Sequence, residues 1–186
     1  MAELPVLCSC FKNSGSNDTV HHIVFAYRHN TTFSSNTPGF YFQLSDGVTN
    51  QCCVCIRSDG AIILTSATPN GTTLATYTGA VSAQSTWFAF ECEVVIHPTA
   101  GSFKVRKNGN TVDDHSTTNI NTRPGANTYA NRLTVGLYTN PGGTSPFTFD
   151  DVPWRSDTAA VPWVGDIRCY TRMPARLMPA RSFPGR

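Results

Sequence analysis

The sequence predicts an all-β protein, two antiparallel sheets packed as a sandwich, and three observations predict it. Charged residues make up only 14% of the 186 residues while Thr, Ser, Asn, Gly and Pro are abundant, a balance that suits many short strands and turns rather than long helices. Runs rich in β-branched and aromatic residues recur along the chain, each bounded by turn chemistry. No segment of helical length carries an apolar stripe at a 3.6-residue period. At this length a single domain buries an ordinary core without covalent staples.

Strands are expected at 6–11, 20–28, 39–44, 51–57, 61–65, 73–77, 86–97, 102–107, 110–115, 131–137, 146–152 and 163–170. Between them lie Asn-Thr-Pro-Gly at 36–39, Ser-Asp-Gly at 58–60, Pro-Asn-Gly at 69–71, His-Pro-Thr-Ala-Gly at 97–101, Arg-Pro-Gly at 123–125 and Asn-Pro-Gly-Gly at 140–143. The segment after Thr86 shows the period most clearly. Phe88, Phe90, Cys92, Val94 and Ile96 share one face, which is a core face, and Trp87, Ala89, Glu91, Glu93, Val95 and His97 share the other. That second, half-polar face is expected to meet solvent, a groove or a neighbouring subunit. Phe103 and Val105 then alternate with Lys104 and Arg106 ahead of Asn108-Gly109, a pair that tolerates the positive φ of a tight hairpin.

Cys8, Cys10, Cys52, Cys53, Cys55, Cys92 and Cys169 make an odd number of thiols. Cys8/Cys10 and Cys53/Cys55 are spaced as on a strand, with both sulfurs of a pair on one face, rather than at the turn spacing of a structural zinc site. Free thiols are expected. After Tyr170 the pattern changes to a near repeat of Met-Pro-Ala-Arg at 173–176 and 178–181. Proline removes a donor and disfavours helix in the residue before it, so 173–186 is expected to be an extended arm attached to a sandwich domain at 1–172. From Gly165 onward five arginines stand against Asp166 alone, so this segment carries +4 and the rest −2 of a net +2. So small a total excludes a nucleic-acid footprint, and no run approaches a membrane span. The amino-terminal residues lack the pattern of a secretory leader, which removes weight from the sequons at Asn17, Asn30 and Asn70.

Between Trp87 and Tyr170 the order of elements resembles the concanavalin A-like, laminin G-like jelly rolls of tailed-bacteriophage structural proteins. The residues that carry the resemblance are Trp87 opening a long strand, Asn108-Gly109, Leu-Thr-Val-Gly at 133–136, Phe-Thr-Phe-Asp-Asp at 147–151 and Val-Gly-Asp-Ile-Arg at 164–168. It implies a jelly-roll sandwich and a virion component, a capsid decoration protein or part of a tail. This chain starts abruptly at Leu4-Pro5 where members of the group carry a longer first strand, so an open sheet edge and oligomers are expected. A trimer is the analogy offered by other jelly rolls on icosahedral surfaces.

Chemistry finds little purchase. Glu91 and Glu93 have the i, i+2 spacing of a glycosidase acid pair beside Trp87, but Ile96 stands where a glucanase-like third acid belongs. The two glutamates are therefore expected to be solvated or to lie in an interface. Asp150 and Asp151 are candidates for a calcium site, yet neighbouring strand residues point to opposite faces and calcium takes six or more oxygens. The five histidines show no ligand spacing, and no nucleophile elbow or phosphate loop is present.

The expectation is a non-enzymatic virion protein without cofactor, made in the host cytoplasm and docked on capsid or tail subunits through Arg172, Arg176, Leu177, Met178, Arg181 and Phe183. The alternative is a lectin-like module of a tail fibre or head surface, contacting a host-surface glycan through Tyr77, Tyr129, Tyr138, Trp154, Asn127 and Asn140.

Overall fold

The structure, a computed structural model, describes residues 8–29, 38–138, 147–150, 152–160 and 162–163. Every regular element among them is a strand: β1 (Cys8–Asp18), β2 (Val20–His29), β3 (Pro38–Ser45), β4 (Asn50–Arg57), β5 (Ile62–Ser66), β6 (Thr73–Tyr77), β7 (Phe88–Val95), β8 (Gly101–Lys107), β9 (His115–Ile120), β10 (Ala130–Leu137), β11 (Phe147–Asp150) and β12 (Trp154–Asp157). They form two antiparallel sheets, β1-β10-β3-β4-β5-β6 and β11-β2-β7-β8-β9, with β12 also paired to β2. The jelly-roll sandwich expected from the sequence is the observed architecture. The C-terminal arm and its docking residues, Arg172, Arg176, Leu177, Met178, Arg181 and Phe183, lie outside the described residues.

Period-two alternation fills the space between the sheets. Ile23, Phe25 and Tyr27 of β2 and Phe88, Phe90, Cys92 and Val94 of β7 face Phe40, Phe42 and Leu44 of β3 and Val54 and Ile56 of β4. Phe25 and Phe42 meet across the sandwich with ring centroids 4.6 Å apart, and Phe90 packs on Phe25 at 5.5 Å. Fully burying a side chain of this size contributes about 1.5–3 kcal/mol, so this aromatic seam holds the two sheets together.

The turns follow the residues that specify them. Asn108 and Gly109 both adopt positive φ, 54° and 76°. Strand β9 nevertheless starts at His115, five residues later than the sequence suggests. The cause is Asp114, whose carboxylate accepts from the Lys107 amide at 2.8 Å and from the Asn110 side chain at 2.9 Å, holding 110–114 as a loop. Strand β1 runs to Asp18, well past the expected end at 11, with an irregular register between Asn13 and Asp18. It bounds one edge of the first sheet. Strand β12 is absent from the expected set, and the segment expected at 163–170 lies outside the described residues apart from Trp163.

The 66–72 connection folds back over the outer surface of the first sheet. Its Ala67 amide donates to the Gln51 carbonyl, the Gln43 side chain donates to the Ala67 carbonyl, and Thr65 Oγ1 donates to the Thr68 carbonyl at 2.8 Å. A Cβ on Gly71 would sit 1.7 Å from the Ser66 carbonyl oxygen, so only glycine lets the chain close this tightly. Beneath it, Tyr41, Cys53, Cys55, Ala61 and Ile63 form a second apolar cluster, separate from the main core.

Candidate functional site

The outer face of the second sheet carries the most organised polar constellation among the described residues. Antiparallel register builds it row by row. His22 of β2 lies opposite Glu93 of β7, which lies opposite Lys104 of β8. One row along, Val24 lies opposite Glu91, which lies opposite Arg106; the next row pairs Ala26 with Ala89. Arg155 of β12 flanks His22 on the other side. Alternation puts all of these on the face away from the core.

His22 is completely buried, and its imidazole lies between two carboxylates. Nδ1 is 3.3 Å from Glu91 Oε1 and Nε2 is 3.1 Å from Glu93 Oε2. Lys104 Nζ donates to the other oxygen of Glu93 at 2.8 Å. Arg106 Nε donates to Asp113 at 2.8 Å, and its guanidinium stacks 3.9 Å from the Trp163 ring centroid. Trp163 meets His22 edge-on, with centroids 5.1 Å apart. At the far end of the same face Trp87 is 42% exposed, with the Arg28 guanidinium 5.7 Å from its ring.

Glu91 and Glu93 are each only 5% exposed, so of the two expected readings, solvated or in an interface, the solvated one does not hold. A buried carboxylate needs partners, and here a shared imidazole supplies them. Burial opposes a charged His22, but the hydrogen bonds it donates to Glu91 and Glu93, with their charges, outweigh it and raise His22 above its ordinary 6.5. The hydrogen bond to His22, and after it Lys104, hold Glu93 down at about 2. Glu93 therefore stays ionised at neutral pH, and the two acids on either side of the ring favour its protonated form.

The adjacent histidine behaves in the opposite way. His21 points into the core, accepts from Trp154 Nε1 at 3.3 Å through Nδ1 and donates from Nε2 to the Asp18 carbonyl at 3.0 Å, a network that assigns the neutral tautomer. Burial lowers its value to about 4. Below pH 6.5 the unfolded chain takes up the proton that folded His21 refuses, so stability is expected to rise between pH 4 and 6.5. Above 6.5 folded His22 retains a proton the unfolded chain releases, so stability is expected to fall until His22 itself titrates. Melting temperatures across this range should peak near pH 6.5; a profile still rising well above that value would show that His22 is not held protonated.

The residues expected to contact a glycan do not converge. Trp154 is 9% exposed and donates inward to His21, so it is a core residue of β12 and not a loop platform. Tyr77 is half-buried on β6 and stacks on His115 of β9, centroids 5.8 Å apart, joining the edges of the two sheets. Tyr138 lies on the outer face of the first sheet, its hydroxyl accepting from the Asn70 side chain. The Asn127 side chain donates to Asp46 at 2.7 Å beside the β3–β4 turn, and Tyr129 is half-buried ahead of β10. Asn140 and Asp151 lie outside the described residues, while Asp150 belongs to β11. Among the described residues no three His, Cys, Asp or Glu side chains group as metal ligands, and Cys10, Cys52, Cys53, Cys55 and Cys92 are free thiols.

No family model matches this chain, and no curated protein matches it in sequence. Solved structures supply the likeness. The two-sheet sandwich is an antiparallel jelly roll. The crystal structure of the botulinum neurotoxin serotype D binding domain superimposes with a TM-score of 0.55 at 12% identity, covering 84% of this chain and 38% of that one. The binding domain of botulinum neurotoxin DC in complex with rat synaptotagmin II gives 0.52 at 15% identity, covering 76% and 33%. A structure of botulinum neurotoxin type C, whose cell entry depends on two ganglioside molecules, gives 0.51 at 15% identity, covering 76% and 34%. The chain thus spans about a third of the length of these toxin chains, and at such identities the likeness is one of fold.

His22, Lys104, Arg106 and Trp163 were not singled out by the sequence as one site. The available signal was the parity of β2, where His22 shares a face with Val24 and Ala26, but parity alone does not say which strand lies alongside.

Proposed function

We propose that this chain is a non-catalytic, lectin-like module that takes an oligosaccharide along the outer face of the second sheet, between Trp87 and Trp163. The observation that carries the reading is the layout of that face. Trp87 offers an exposed ring, Ala26 and Ala89 leave a low floor beside it, and the partly exposed Lys104 and Arg106, held by Glu93 and Asp113, supply fixed polar groups over the buried Glu91, His22 and Glu93. From Trp87 to Glu91 the strand rises about 13 Å, enough for a short saccharide. Sugars bind where an aromatic face meets pre-oriented donors and acceptors, and the lectin-like fold agrees with such use.

Glycosidic hydrolysis fits this site poorly. One carboxyl would have to carry a proton and the other attack or activate water, whereas both hold the same imidazole and Glu93 is held at about 2. The decisive experiment is a glycan array followed by calorimetry on the best binder. Trp87→Ala should weaken binding at least tenfold, which equals a loss of about 1.4 kcal/mol, with the melting temperature preserved. Absence of any glycan binding, or full affinity in Trp87→Ala, would refute the site; turnover of a β-glucan that disappears in Glu91→Gln would refute the non-catalytic reading.

The setting we propose is a tailed-bacteriophage particle, supported by the ordered motifs between Trp87 and Tyr170 and by the Arg/Pro-rich segment 173–186. Deleting 173–186 should abolish co-sedimentation with particles while leaving glycan binding intact. Co-sedimentation that survives the deletion would remove the arm from docking.

A further inference from the structure

The second apolar cluster contains a pair of thiols that the saccharide face does not use. Cys53 and Cys55 project from β4 onto the outer surface of the first sheet, both fully buried, with their sulfurs 3.5 Å apart. Thr65 Oγ1 lies 3.8 Å from Cys55 Sγ and 3.2 Å from the Cys53 carbonyl oxygen. Tyr41 stands opposite Cys55, and Gln43 and Thr65 stand opposite Cys53.

A lid covers them. Tyr138 follows β10 beside Gly39, at the Ile56 end of β4, while the 66–72 connection leaves β5 at the Cys52 end. The hydrogen bond from the Asn70 side chain to the Tyr138 hydroxyl therefore crosses the outer face between those two ends, over the cluster that holds the thiols.

The spacing decides what such a pair can do. Two residues apart on a strand, Cβ atoms are separated by about 6.5 Å, whereas a disulfide requires about 3.5–4.5 Å. A direct sulfur–sulfur bond would need β4 to buckle between two hydrogen-bonded neighbours. One atom inserted between the sulfurs needs no such movement. Charge restricts that atom further: a monovalent cation on two thiolates would leave a buried net negative charge, and zinc requires two more ligands. A pyramidal centre that replaces two thiol protons and keeps its sulfurs on one side leaves a neutral, close-set adduct.

We propose that Cys53 and Cys55 form a binding site for a trivalent organoarsenical, bridged through both sulfurs. Both S–H bonds break, two S–As bonds form, and the oxygen of the arsine oxide leaves as water with the two thiol protons; nothing is oxidised or reduced. Burial and the neighbouring Cys55 keep Cys53 protonated well beyond the ordinary thiol range, so an uncharged reagent that exchanges protons suits the pair better than one requiring a free thiolate.

The test uses the full chain carrying Cys8→Ser, Cys10→Ser and Cys169→Ser, with phenylarsine oxide as the probe and intact mass as the readout. One adduct per chain is expected under native conditions. It should vanish in both Cys53→Ser and Cys55→Ala, persist in Cys92→Ser, and form several-fold faster in Asn70→Ala, where the lid bond is lost. Near-ultraviolet circular dichroism confirms that each variant is folded, and either single variant suffices if the other fails. An adduct that survives loss of Cys53 or Cys55, no adduct even in Asn70→Ala, or conversion of the pair to a disulfide by mild peroxide would each overturn the proposal.

Discussion

Replacing His22 by leucine is expected to destabilise the protein by about 3–5 kcal/mol, the range found when one partner is removed from a buried ionic group. The substitution preserves volume and apolar packing, so the loss reports electrostatics. Glu91 and Glu93 would keep their places in the sheet without the imidazole they share. The midpoint of urea unfolding gives the size of the effect. Adding Glu91→Gln and Glu93→Gln to His22→Leu should restore part of the loss, because neutral amides tolerate burial beside leucine better than two carboxylates do. Failure of the triple variant to regain stability would mean that His22 acts through packing alone.

Trp154→Ala carries the second large expectation, a loss of about 3–5 kcal/mol as for other large aromatic truncations in a core. Its ring stacks against His21 with centroids 5.9 Å apart, and its indole N–H is the donor that His21 Nδ1 accepts. Truncation leaves a cavity and an orphaned acceptor together. Because β12 lies against β2, pairing Trp154 with Ile23 and Arg155 with His22, loosening β12 should also weaken saccharide binding at the Trp163 end. A surface platform would behave differently, losing affinity with the unfolding midpoint unchanged.

Much of the architecture was legible in the residues. The alternation of Phe88, Phe90, Cys92 and Val94 with Ala89, Glu91 and Glu93 assigned both faces of β7, and the burial of the two sets follows it on the core side. Asn108-Gly109 marked a real turn with both residues at positive φ. What escaped was held by side chains acting at a distance or by strands without a pattern. Asp114 delays β9 by capping the preceding loop, an effect no propensity encodes. Strand β12 reads Trp-Arg-Ser-Asp after a proline, too short and too polar to announce itself.

The site was harder to read than the fold for a related reason. His22 and Glu93 are 71 residues apart, and only the pairing of β2 with β7 makes them neighbours. The sequence exposes the parity of each strand, so Glu91 and Glu93 could be placed on one face. It does not expose which strand lies alongside, so the imidazole between them could not be inferred, and the two acids looked solvated or interfacial.

Strand β2 also sets an order of assembly. On one side it pairs with β7, and on the other with β11 and β12 in turn, so its pairing waits for residues made long after it. Contacts of such sequence separation form slowly, after the entropy of a long loop has been overcome. During synthesis His22 emerges early, while Glu93 and Lys104 emerge much later and Trp163 later still. A chain terminated before Trp163 therefore lacks one end of the proposed saccharide face, and ligand capture would report that translation has run past that residue.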